Sequence, residues 1–138
     1  MISLIIGNKG SGKTKHLIEL VHTAVESSNG NVVCVEKTVN LKHNVDIRAR
    51  LVASDDFDIR GYDAFYGFLC GLCAGDYDIT DIFVDATLKI GGRDYEELAT
   101  FFEKLSLLGN ATDSNFTFTV SADEADLPKR MFDYCKKI

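Results

Sequence analysis

Ile2-Ser3-Leu4-Ile5-Ile6 runs straight into Gly7-Asn8-Lys9-Gly10-Ser11-Gly12-Lys13-Thr14, and a helical pattern follows without a break. The eight residues spell G-x-x-x-x-G-K-[ST] between a strand and a helix, the context in which this pattern cradles phosphate. Most of the chemistry belongs to the backbone. Gly7, Gly10 and Gly12 permit dihedrals that turn successive N–H groups inward, making an anion-binding nest to which Asn8, Lys9 and Ser11 add their amides. A helix starting near Lys13 brings the positive end of its dipole to the same spot. Lys13 is predicted to reach the β- and γ-phosphates, and Thr14 to set its hydroxyl on Mg²⁺.

Outward from this loop, short β-type runs alternate with helical patterns. Leu17, Leu20, Val21, Ala24 and Val25 recur at helical spacing and predict a helix over 13–28, ended by the turn residues around Asn29-Gly30. Asn31–Glu36 reads as a buried parallel strand. Residues 48–53 read as a short extra strand and 55–58 as a solvated acidic loop. A helix is predicted over 62–74, a strand over 81–85, a loop around Gly91-Gly92, and a helix over 94–108 with Gly109 just past its end. Asn115–Ser121 is the last clear strand, and a helix is predicted to begin near Pro128, with Lys136 and Lys137 at its negative end. This alternation predicts one three-layer α/β domain over 1–138, with a mostly parallel sheet of four or five strands. Ligands of such sheets bind at the carboxyl ends of the strands, where Gly7, Glu36, Asp85 and Ser121 all fall.

The bulk numbers restrict the function classes. The chain has 138 residues, 46% of them hydrophobic and 26% charged, enough for one sheet-and-helix core. Its net charge of −6 argues against sequence-independent nucleic-acid binding, which relies on Lys and Arg against phosphates. No apolar stretch approaches bilayer length, and the first apolar run reads as a core strand rather than a leader. The expectation is a cytoplasmic protein whose four cysteines are free thiols.

With residues 7–14 and the apolar run Ile82-Phe83-Val84-Asp85, the chain resembles the P-loop NTPase superfamily, in a minimal form similar to its RecA-like and AAA-like branch. The resemblance implies a P-loop NTPase fold binding ATP, with Asp85 holding Mg²⁺ beside Thr14. It also implies that a strand carrying a polar residue lies between the Asp85 strand and the phosphate loop. Ser121 matches that polar position, where it would sense the γ-phosphate or the attacking water; the other reading is a serine starting a turn with Asp123. Many members of that branch place a water-activating glutamate directly after the aspartate, and thymidine kinases, similar in strand order, do so too. Here the position is Ala86, which can neither accept a proton nor orient water. RecA carries its catalytic glutamate on a neighbouring strand, so the resemblance offers Glu36 as a substitute. The alternatives are a solvated or lysine-paired Glu36 and a protein with no base.

Other signals carry less. Cys70-Gly71-Leu72-Cys73 lacks a second ligand pair at metal spacing and reads as packing within a buried helix. His16, His22 and His43 share no ligand spacing. Arg93 reads as an exposed arginine at a helix start, with a role toward a bound or neighbouring nucleotide as the alternative. No Asn-Lys-x-Asp element follows a later strand, so ATP is favoured over GTP. The leading expectation is an ATP-binding protein, Mg²⁺-dependent and a weak or partner-dependent ATPase, with a protein partner or self-association left open. A small phosphotransferase of nucleoside-kinase type, with Arg48, Arg50 and Arg60 as thinly spread lid candidates, is the second expectation. A non-catalytic interaction module with a vestigial loop is the third.

Overall fold

Among the described residues, the β-branched and aromatic runs pair into one sheet of six strands, all parallel. The computed structural model describes residues 1–38 and 44–138, so His43 lies outside the described residues. In chain order the elements are β1 (Ile2–Gly7), α1 (Lys13–Ser27), β2 (Asn31–Glu36), β3 (Arg50–Ala53), α2 (Tyr62–Gly75), β4 (Ile79–Val84), α3 (Thr87–Gly91), α4 (Tyr95–Thr112), β5 (Asn115–Ser121) and β6 (Lys136–Lys137). The strands lie in the order β3-β2-β4-β5-β1-β6, which puts β5 between β4 and β1.

Alternation along the strands builds two separate cores. Val33, Val35, Ile82, Val84, Phe116 and Phe118 join Phe65 and Leu69 of α2 and Leu98, Phe101 and Phe102 of α4. Their neighbours in sequence, Val32, Cys34 and Phe83, join Leu17 and Val21 of α1 instead. A strand of a parallel sheet buried on both faces needs an apolar run, which β2 has over 32–35 and β4 over 82–84. The aromatic rings hold α2 and α4 on the sheet: Phe65 stacks on Phe101 at 5.2 Å, and Phe118 meets Phe102 at 5.1 Å.

Four expectations need correction. The sheet has six strands rather than four or five: the short strand expected within 48–53 is present as β3, and the two-residue β6, which was not expected, pairs as well. The chain end is not an α-helix. It forms two 3₁₀ turns, Glu124–Asp126 and Lys129–Asp133, and then β6. Met131 is fully buried as their anchor, and the chain that follows covers the free edge of β1, with Ile138 N donating to Leu4 O at 2.9 Å. The helix α4 continues through Gly109 to a left-handed Asp113. The segment after Asp85, read as a loop, contains the short helix α3.

Candidate functional site

Strand pairing brings the carboxyl ends of β4, β5 and β1 side by side under the start of α1. Gly7 is level with Ser121, and Val84 with Phe118, which sets Asp85 beside Thr119. Phe83 packs toward α1, so Asp85, two residues on, emerges on the α1 face of the sheet. Thr14, in the first turn of α1, comes down onto it: its hydroxyl donates to the Asp85 carboxylate, 3.2 Å from each oxygen.

The loop before α1 is shaped by its glycines, though not all in the expected way. Gly10 and Gly12 have φ of +86° and +87°, a region that side chains disfavour. Gly7 is a strand residue without positive φ; a Cβ there would sit 2.5 Å from Ser11 Oγ and make that hydroxyl turn away. Gly12 caps α1 with no side-chain hydrogen bond, and the first turn holds no acid. The contrast with α4 is informative. There Asp94 accepts from Glu96 N and Glu97 N, and acids occupy the first turn. The N-terminus of α4 is capped by its own side chains, whereas that of α1 has neither a side-chain cap nor an acid in its first turn. Lys13, 9% exposed, donates from Nζ to Asn8 O at 3.0 Å. Burial holds its ammonium below the usual lysine range, and the Asp85 charge partly opposes that effect.

These groups open onto a cleft of about 640 Å³. Of the predicted residues, Lys9, Gly10, Gly12, Lys13, Thr14, Asp85 and Ser121 line it. Gly7, Asn8 and Ser11 are not among its lining residues; Asn8 and Ser11 are exposed, and Asn8 O accepts from Lys13 Nζ and from Ser11 N. Glu36 is also off the wall. It is buried at the end of β2, level with Asp85 on the adjacent strand and on the same sheet face as Cys34. Burial pushes the Cys34 thiol up to about 12, with the charges of Glu36 and Asp85 adding to the shift.

Sequence reasoning missed Thr119. It is 1% exposed; its hydroxyl donates to Asp85 Oδ1 at 2.8 Å and accepts from Ala86 N at 2.7 Å. The signal was present. Phe116-Thr117-Phe118-Thr119-Val120-Ser121 alternates aromatic or aliphatic with hydroxyl residues, and a buried hydroxyl face beside a strand-end aspartate needs partners. Arg93, read as an exposed helix-start residue, is exposed and also lines the cleft, together with Lys89.

The remaining candidates lie elsewhere. Arg48 is bound by Glu26 and Asp46, and Arg60 by Asp58, away from the cleft wall. The same Arg48 contacts fill the His22, Glu26 and Asp46 grouping. Cys70 and Cys73 are free thiols on α2. A second cleft, of about 600 Å³, opens by α2 and α4, but Asp94 is spent on its cap and Asp63 faces Lys104. Among the described residues no helix is long and apolar enough to cross a membrane. In comparisons with known proteins, no family model and no curated protein matches the chain.

Proposed function

We propose that this chain is an ATP-binding protein of the P-loop type that hydrolyses its nucleotide slowly, or at a useful rate only with a partner. The observation that carries the reading is the convergence of Lys13, Thr14 and Asp85 on one cleft at the uncapped start of α1. The placement of β5 between β4 and β1, and helices packed against both sheet faces, support it as well.

The donor set fits Mg²⁺: the Thr14 hydroxyl and the Asp85 carboxylate are hard oxygen ligands facing one cleft. When bound, the ion supplies charge neutralisation at the β- and γ-phosphates. The protein's own part is positional. Loop amides and the α1 terminus hold the phosphates, and Lys13 exchanges the Asn8 carbonyl for a phosphate oxygen. In hydrolysis the oxygen of a water bonds to the γ-phosphorus. The bridging P–O bond breaks with its electron pair going to ADP, and the proton of the water passes to solvent. Ala86 offers nothing to orient that water, and Glu36 stands off the cleft wall.

Calorimetric titration with ATP, ADP and GTP, with and without Mg²⁺, tests the reading. Wild type is expected to bind Mg·ATP, and Lys13→Ala to bind it about 2–3 kcal/mol more weakly through loss of a charge-assisted contact. Asp85→Asn is expected to weaken Mg·ATP more than metal-free ATP. Equal affinity in wild type and Lys13→Ala, or no binding by either, overturns it.

A further inference from the structure

The cleft is cationic in an acidic protein. Five cationic side chains, Lys9, Lys13, Lys15, Lys89 and Arg93, line it with a single carboxylate, Asp85, in a chain of net charge −6. None of the five is in an ion pair among the described residues. Elsewhere, Lys37, Arg48, Arg60, Lys104, Arg130 and Lys137 are in ion pairs, and among the described residues only Arg50, Lys129 and Lys136 outside the cleft are not. Three of the five belong to the phosphate loop and the start of α1. The other two stand on a separate arm, residues 86–93, which leaves the sheet at Asp85.

That arm is held at its beginning, middle and end. Ala86 adopts a left-handed conformation, φ 56°, fixed by its N–H bond to Thr119 Oγ1. Thr87 Oγ1 is buried with no partner among the described residues. Both features are unfavourable and persist only where surrounding contacts impose them. At the far end, Gly61 N donates to Ile90 O at 3.1 Å and Tyr62 Oη to Gly92 O at 2.7 Å. Gly91 lies flush on the Tyr62 ring, where a Cβ would collide with it. Asp94, the next residue after Arg93, is fixed as the cap of α4. The backbone on both sides of Arg93 is therefore anchored, while its guanidinium is left exposed at the cleft beside neighbours, Asp94 and Glu96, that are bonded elsewhere.

We propose that Arg93, assisted by Lys89, contacts the γ-phosphate from the 86–93 arm and stabilises the charge that develops there as the phosphoryl group is transferred. This rests on the ATP-binding reading and adds a catalytic residue to it. The arginine receives charge on the departing phosphoryl oxygens; it orients no water, so it does not replace the missing base. Preorganised cations at such positions act on the transition state more than on the ground state.

The test compares Mg·ADP with Mg·ADP plus fluoroaluminate, a mimic of the transferring phosphoryl group, by titration of wild type, Arg93→Ala, Arg93→Lys, Lys89→Ala and Lys13→Ala. Arg93→Ala is expected to keep its Mg·ADP affinity within about twofold and to bind the mimic about tenfold or more weakly. Arg93→Lys is expected to recover part of that loss, and Lys89→Ala to show a smaller loss of the same kind. Unchanged mimic binding in Arg93→Ala overturns the inference while leaving nucleotide binding intact. So does an equal loss for both ligands, which would place the arginine on the diphosphate. So does a wild type that binds Mg·ADP without gaining the mimic. Wild type that binds neither ligand overturns the ATP-binding reading itself.

Discussion

Thr119 Oγ1 donates a hydrogen bond to Asp85 Oδ1 and accepts one from the Ala86 N–H. One hydroxyl thereby fixes the rotamer of the carboxylate and pins the left-handed turn that starts the 86–93 arm. Thr119→Val keeps the shape and removes both bonds, leaving a buried amide without an acceptor. The expected cost is about 1–3 kcal/mol in denaturant unfolding, together with a Mg·ATP affinity that falls more than the metal-free one. A variant as stable as wild type and equally responsive to Mg²⁺ would remove Thr119 from the site. At this scale much of the cleft was legible. Lys13 and Thr14 follow from motif mechanics, and Asp85 from an apolar run ending in a carboxylate. Thr119 was legible in principle from its alternation. The conformation of Ala86 was not, since nothing about alanine announces a positive φ.

At the scale of elements, α4 shows how a helix is assigned to a face. Phe101 is buried and meets Tyr62, Phe65, Phe102 and Phe118 at ring distances from 5.3 Å to 5.9 Å, apart from the closer stack on Phe65. Leu107, on the same helix, is 67% exposed. Phe101→Ala is expected to cost about 3–5 kcal/mol in chemical denaturation, and Leu107→Ala to stay within about 0.5 kcal/mol. Similar costs for the two would mean that α4 presents a different face to the sheet. Helices long enough to show several turns of periodicity, such as α1, α2 and α4, could be read from sequence. Of the elements of two to five residues, β3 was legible within 48–53, but α3 and β6 were not, because they are shorter than any period that would distinguish them. The stretch after Pro128 has the composition of a helix start, yet the exposed edge of β1 offers ladder hydrogen bonds that a helix there would leave unmade.

At the scale of the whole molecule, the parallel alternation of strands and helices was readable because it is repeated along the chain, while the number of strands depended on its two shortest edges. In the proposed function, that architecture brings Lys13, Thr14 and Asp85 to one sheet edge without supplying everything that hydrolysis needs. The roles proposed for Lys13, the loop amides and Arg93 all act on charge, and most catalysis of phosphoryl transfer is positioning and electrostatics. A group that orients the water contributes a further factor of about 10²–10⁴ in rate. Ala86 withholds it, and Glu36, buried on β2 at the level of Asp85, lies off the cleft wall. The isolated chain is therefore expected to release phosphate slowly in steady state, and a partner surface that brings a carboxylate or glutamine to the cleft is expected to accelerate it. Glu36→Gln separates the two sources of a base: a further drop in the slow rate assigns the role to Glu36, whereas an unchanged slow rate leaves the role to a partner. Fast release by the chain alone, unaltered in Glu36→Gln, defeats both alternatives, because it would require a water-orienting group that neither Ala86 nor Glu36 provides.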